Sequence, residues 1–118
     1  GHEVELTGIF YHLGENDMSF HPYRKQAAER LQTIIAQSRN DLEWPALKWY
    51  VSQQPPPDDK SVNNIDVVAN IAMAAAADPT LIHLKTFNLP SQEKKLVIST
   101  AGIVKLGEFI AKSYLGHQ

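Results

Sequence analysis

The apolar residues change spacing repeatedly along the chain, alternating between short runs and helical periodicity. An aromatic and β-branched run at residues 7–13 ends at Gly14, which predicts a strand that enters a loop. Residues 23–39 then predict a helix, since Pro22 suits its first turn and Asn40 and Asp41 suit its end. The apolar positions at helical spacing are Ala27, Ala28, Leu31, Ile34 and Ile35.

The same alternation continues through the rest of the chain. Residues 46–52 predict a second strand, and the three prolines within residues 53–59 predict a loop, because proline fixes φ and lacks an N–H donor. A second helix is predicted at residues 62–77, with Asp78 and Pro79 ending it. The positions that mark this helix are Ile65, Val68, Ala69, Ala72, Met73 and Ala76.

A third strand is predicted at residues 81–87, followed by a last, amphipathic helix that Ser99 and Thr100 cap. The apolar positions of this helix are Ile103, Leu106, Phe109 and Ile110. The order β-α-β-α-β-α predicts parallel strands in an α/β layer fold, with residues 1–118 forming a single domain.

Functional loops in such folds gather at the carboxyl ends of the strands, which is where residues 14–21 fall. Three strands make a narrow sheet for a parallel arrangement. We therefore expect the sheet to be completed, either by a missing N-terminal segment or by a second copy of the chain in a homo-oligomer.

Composition removes several classes of function. With 118 residues, 43% of them hydrophobic and a net charge of −2, the chain is typical of a soluble globular domain without a nucleic-acid footprint. It has no cysteine, which excludes thiol catalysis, disulfides and cysteine-based zinc sites. No apolar run approaches the roughly 20 residues of a membrane span, and residues 1–5 lack the basic start and apolar core by which we would expect a signal peptide to begin. We expect neither a nucleic-acid nor a membrane partner, and no cofactor.

Residues 14–17, Gly-Glu-Asn-Asp, carry the first candidate chemistry. The Asn16 amide and the N–H groups of the loop could stabilise charge on a carbonyl oxygen, whereas the alternative is a plain strand-to-loop turn. A metal site is a further hypothesis, although the spacing of its ligands matches no common zinc pattern. Its ligands would be His12, Glu15, Asp17 and His21.

Other residues have both a functional and a structural interpretation. His83 could act as a base oriented by Asp78 or Asp66, or could be a hydrogen-bonded strand residue. Three aromatic side chains could stack on sugar rings, although core packing is the more common role of such residues. They are Trp44, Trp49 and Tyr50.

Two motifs together resemble the SGNH (GDSL-type) hydrolases, most closely their sialate O-acetylesterase and acetylxylan esterase group. Residues 11–17, Tyr-His-Leu-Gly-Glu-Asn-Asp, are similar to the G-x-N-D block and to the signature W-H-Q-G-E-S-D. Residues 97–102, Val-Ile-Ser-Thr-Ala-Gly, and 105–111, Lys-Leu-Gly-Glu-Phe-Ile-Ala, resemble the C-terminal block. The resemblance implies a flavodoxin-like three-layer sandwich, of which this chain is the C-terminal part with a partial parallel sheet. It also implies hydrolysis of acetyl esters on sugars by a Ser-His-Asp mechanism.

The resemblance assigns roles residue by residue. Gly14 and Asn16 correspond to the oxyanion-hole side and Asp17 to the support of that loop, while His12, Glu15 and His21 would bind substrate, an acetylated carbohydrate. Leu13 replaces a glutamine of the signature. Relatives of this kind are often secreted or periplasmic, which is the compartment that the resemblance implies.

The same alignment shows departures from the catalytic machinery. Val97 holds the position of the catalytic histidine, Lys94 or Lys95 holds that of the aspartate, and the Gly-Asp-Ser or Gly-Gln-Ser-Asn nucleophile block is absent. We therefore expect this chain to be inactive in isolation, which leaves open whether it is an enzyme. The alternatives are a non-catalytic glycan-binding or protein-interaction module, and an unrelated hydrolysis supported by Glu15 or His21.

Overall fold

Strands and helices alternate along the chain in the computed structural model, as the sequence predicts. The structure describes residues 3, 5–13, 21–53, 67–84 and 99–116, with only the backbone at residues 21, 22 and 24. The elements are β1 (Ile9–Leu13), α1 (His21–Asp41), β2 (Trp49–Gln53), α2 (Val67–Ala77), β3 (Leu81–Leu84) and α3 (Thr100–Gly116). None of these helices is long and apolar enough to cross a membrane.

The strands form one parallel sheet in the order β1-β2-β3. Ile9 pairs with Trp49 and Leu13 with Gln53, while Trp49 also pairs with Leu81. All five residues of the central strand β2 are buried. Because the strands are parallel, their carboxyl ends meet at one edge of the sheet, which we call the carboxyl edge; the opposite one is the amino edge.

Helices α1 and α2 cover one face of the sheet. Their inward residues pack against alternate strand residues, as expected when successive strand side chains point to opposite faces. The core on this face consists of Leu13, Ala27, Leu31, Ile35, Leu47, Trp49, Val51, Val67, Ile71 and Leu81. Burial of this apolar surface is the main stabilising contribution in a chain without disulfides.

Helix α3 covers the other face through aromatic contacts. The rings of Phe10 and Tyr50 are stacked with centroids 4.8 Å apart, and Tyr114 of α3 meets each of them edge-on at 5.9 Å. The chain is therefore α/β with a helical layer on both faces of a three-stranded parallel sheet, a partial flavodoxin-like sandwich.

The structure shifts several predicted boundaries. Strand β1 begins at Ile9 instead of residue 7. Strand β2 begins at Trp49 instead of residue 46, because residues 44–47 form a turn. In this turn the Leu47 N–H donates to the Trp44 carbonyl at 3.2 Å. Gln53, predicted to begin the loop, is the last residue of β2. The predicted positions 54–59, 62–66 and 85–87 lie outside the described residues.

The helical spacing predicted the helices but not all of their buried faces. Ile34 of α1 is 46% exposed, Met73 of α2 is 70% exposed and Ile103 of α3 is 60% exposed. In α2 the buried residues are instead Val67 and Ile71. The cap of α3 is confirmed, since the Gly102 N–H donates to Ser99 Oγ at 3.1 Å.

Candidate functional site at the carboxyl edge

Polar side chains lie at the carboxyl ends of all three strands. They form two cross-strand pairs, one on each face of the sheet. His12 pairs with Ser52, and His83 pairs with Gln53. The register explains the pairing on the α3 face, because His12 lies directly beside Ser52. The carboxyl edge is where functional groups collect in parallel α/β sheets.

The His12–Ser52 pair is the closest arrangement to catalytic chemistry in the described residues. The Nδ1 atom of His12 lies 2.7 Å from Ser52 Oγ, which is within the reach that a serine nucleophile and its base require. Ser52 is fully buried, however, at 0% exposure. A hydroxyl without access to the surface cannot attack a substrate carbonyl, so the pair fixes the imidazole of half-buried His12 instead.

The second pair joins His83 to Gln53 on the face of α1 and α2. The Nε2 atom of His83 lies 2.7 Å from Gln53 Oε1, and Gln53 is fully buried. Because an amide oxygen only accepts, His83 carries its proton on Nε2 in this contact. His83 also lines a cavity of about 840 Å³ beside β3, together with Leu81, Phe109 and Lys112.

Asp78 does not orient His83, which corrects one of the two pairings predicted from the sequence. It lies at the amino edge, where its carboxylate accepts hydrogen bonds from Arg39 at 2.7 Å and from the Thr80 hydroxyl at 2.6 Å. Desolvation raises the pKa of Asp78, but the hydrogen bonds from Thr80 and Arg39 outweigh it and hold the pKa below its usual value. The other predicted orienter, Asp66, lies outside the described residues.

The predicted oxyanion loop begins at the carboxyl edge. Strand β1 ends at Leu13, one residue after His12, so the chain enters the loop next to the His12–Ser52 pair. The residues Gly14, Glu15, Asn16 and Asp17 lie outside the described residues, and so does the side chain of His21, whose backbone begins α1. Their predicted roles stay predictions. The metal hypothesis stays one too, although the part of the chain that the structure describes has no metal-binding group of three His, Asp or Glu side chains.

The three aromatic candidates for sugar stacking differ in their exposure to solvent. Trp49 is buried, and its Nε1–H donates to Ser38 Oγ at 3.1 Å, while Tyr50 is buried beneath Phe10, so both have packing roles. Trp44 is 36% exposed and lines a cavity at the amino edge. Sequence reasoning missed Ser52 and Gln53 as partners, and the signal for them was the polar pair that follows the apolar run of β2.

Comparison with known proteins identifies the family. A family model described as "Carbohydrate esterase, sialic acid-specific acetylesterase" matches residues 1–116. The comparison with curated proteins and the comparison with solved structures found no match. The match covers both motifs on which the sequence resemblance rests.

Proposed function

Since the chain belongs to the carbohydrate esterase family of sialic acid-specific acetylesterases, we propose that it contributes the half of an acetyl-ester site that holds the acetyl carbonyl. As this chain stands, it does not cleave the ester. The ligand is an acetylated carbohydrate, which binds at the carboxyl edge.

The start of the loop at the carboxyl edge carries this proposal. Strand β1 ends at Leu13, beside an imidazole that Ser52 holds in place, and Gly14 and Asn16 follow Leu13 in the sequence. An Asn side-chain amide and loop N–H groups are the donors that stabilise negative charge on a carbonyl oxygen. The family match supports carrying the oxyanion-side role over to Gly14 and Asn16.

Three sequence differences support the lack of cleavage. Val97 has no group that can move a proton, and the ammonium of Lys94 or Lys95 would oppose an imidazolium instead of stabilising it. The nucleophile block of the family is absent from the sequence, and the buried hydroxyl of Ser52 cannot replace it.

A second candidate is a non-catalytic glycan-binding or protein-interaction module. The sequence keeps Gly14 and Asn16 but lacks the catalytic base, which favours this second candidate. A site that holds a carbonyl but cannot cleave an ester can still bind the sugar. In this interpretation the carboxyl edge recognises a sugar irrespective of its acetyl group.

The test measures turnover and binding on the same protein. We expect no hydrolysis of 4-nitrophenyl acetate or O-acetylated sialic acid above buffer, and saturable binding of the O-acetylated sugar by calorimetry. Loss of one donor to the carbonyl in Asn16→Ala should weaken that binding about tenfold. Asn70→Ala, which alters an exposed residue of α2, is the matched control and should leave the affinity unchanged.

Three results would overturn the proposal. Turnover that Asn16→Ala abolishes would show a working esterase, and turnover that only Ser52→Ala abolishes would identify the buried pair as its nucleophile and base. Equal affinity for the acetylated and the deacetylated sugar would favour the binding module instead.

A further inference from the structure

A second cavity lies at the amino edge of the sheet, on the face that α3 covers. Its volume is about 230 Å³, and we call it the amino-edge pocket. The residues that line it and carry the argument are Glu5, Thr7, Trp44, Lys48, Tyr50 and Tyr114. They come from the segments that precede β1 and β2, from the second residue of β2 and from α3, so the pocket is at the opposite end of the strands from the carboxyl edge.

Packing and a backbone turn position the aromatic residues of the pocket before any ligand arrives. Tyr50 is buried and contacts both Phe10 and Tyr114, and burial together with the neighbouring Tyr114 raises its pKa, so its phenol stays neutral. The backbone of Trp44 is held by the turn after α1, in which the Trp44 backbone N–H donates to the Arg39 carbonyl at 2.9 Å. Aromatic faces that are already ordered lose little entropy when a ligand stacks on them.

Polar groups surround these aromatic residues in a mixture that suits a sugar. Glu5 supplies a carboxylate acceptor, Lys48 supplies an ammonium donor, and the Thr7 hydroxyl both donates and accepts. Apolar walls with a few placed polar groups are the usual composition of a small-molecule site. The single negative and single positive charge offset each other, which favours a ligand without net charge.

Size limits the ligand further. A volume of about 230 Å³ is below the roughly 300–1,000 Å³ of sites for drug-sized ligands, so it suits a single ring. We infer that the amino-edge pocket binds one uncharged pyranose ring, stacked on Trp44 and hydrogen-bonded by Glu5, Thr7 and Lys48. It is a second carbohydrate site, separated from the carboxyl edge by the length of a strand, roughly 15 Å.

Tryptophan fluorescence tests this inference directly on the whole chain. Trp44 and Trp49 are the two tryptophans, and Trp49 is only 4% exposed on the other face, so a sugar in the pocket changes the emission of Trp44 alone. We expect a saturable change with at least one of glucose, galactose, xylose and N-acetylglucosamine. The change should be absent in Trp44→Phe.

Matched variants locate the polar contact. Glu5→Gln should weaken binding about tenfold, because it removes the charge-assisted acceptor, whereas Glu3→Gln at another exposed glutamate of the same segment should leave binding unchanged. Backbone amide shifts in a ¹⁵N NMR titration should include Thr7 and Trp44 and exclude His12 and Ser52. Asn16→Ala should leave sugar binding at the amino-edge pocket intact. The sugar titration can therefore succeed or fail independently of the acetyl-ester proposal.

Several results would overturn the inference. They are no saturable response to any of the four uncharged sugars, shifts confined to the carboxyl edge, equal effects of Glu3→Gln and Glu5→Gln, and tighter binding of N-acetylneuraminic acid than of the uncharged sugars.

Discussion

Gly8 lies where the chain enters β1 and passes against the buried ring of Tyr50. A Cβ added at this position would be 3.0 Å from Cε2 of Tyr50 and 3.2 Å from the carbonyl oxygen of Lys48. The ring has little room to move, since Tyr50 is 1% exposed and stacks on Phe10. The lack of a side chain at Gly8 is therefore a packing requirement.

Gly8→Ala should lower the free energy of unfolding by about 1–3 kcal/mol, because the extra methyl group overpacks this contact. Chemical denaturation measures the change. Gly107→Ala is the control with the opposite expected sign: nothing lies within 4 Å of its added Cβ, and alanine in an exposed helix stabilises by about 0.5–1 kcal/mol. Equal effects at the two positions would contradict the packing argument.

The sequence identified two of the four carboxyl-edge residues but not how they pair. His12 was a candidate metal ligand and a substrate-binding residue by resemblance, and His83 was a candidate base. Their partners Ser52 and Gln53 are 40 and 30 residues away along the chain, and only the strand register brings them together. Register is a tertiary property, so the sequence did not indicate Gln53 as the partner of His83. The predicted orienter Asp78 was wrong, and Asp66 lies outside the described residues.

The end of α1 shows how one element sets the position of the next. The Trp44 N–H donates to the Arg39 carbonyl at 2.9 Å and the Glu43 N–H to the Asn40 carbonyl at 3.2 Å, the two hydrogen bonds of a Schellman motif. Glu43 occupies the position that glycine usually takes, with φ of 51°. This turn places Trp44 at the amino-edge pocket.

Glu43→Gly should raise the free energy of unfolding by up to about 1 kcal/mol, because glycine has no Cβ to strain at positive φ. Thermal and chemical denaturation both measure it. Glu29→Gly, at an exposed position inside α1, should instead destabilise by about 0.5–1 kcal/mol. The interpretation of this turn fails if Glu43→Gly destabilises as much as Glu29→Gly.

Element order was predictable where local chemistry determines it. The Ser99 cap and the stop at Asp78 and Pro79 depend on neighbours in sequence, and both agree with the structure. The buried face of α2 was not predictable, since four consecutive alanines give it similar apolar character on several sides. Contacts with α1 and the sheet select Val67 and Ile71 as the buried residues.

For the whole molecule, the sequence predicted the layered parallel fold but not the amino-edge pocket, and the function predicted for the carboxyl edge stays a prediction. The pocket exists because segments distant in sequence converge, with Thr7, Trp44 and Tyr114 contributed by separate parts of the chain. No local spacing connects these residues. The motif at residues 11–17 was visible, by contrast, because it is contiguous.

Arg39 ties three parts of the molecule together at the amino edge. Its guanidinium donates to the Asp78 carboxylate and to Thr80 Oγ1, each at 2.7 Å, and to the Leu47 carbonyl at 3.1 Å. The end of α1 is thereby joined to the segments that enter β2 and β3. The Arg39 and Asp78 side chains are 15% and 30% exposed, so solvent screens the pair only in part.

This cluster should make the stability of the whole chain depend on pH on the acid side. Because the folded state lowers the pKa of Asp78, its contribution is fully present above the unfolded value near pH 4 and is lost as the pH falls through the folded value. Asp78→Asn should cost about 1–3 kcal/mol at pH 7, with a smaller difference from wild type below pH 4, in urea denaturation at each pH. Asp41→Asn, at an exposed carboxylate, should change stability by less than about 0.5 kcal/mol. A difference for Asp78→Asn that stays constant from pH 7 to pH 2 would mean that its charge does not stabilise the fold.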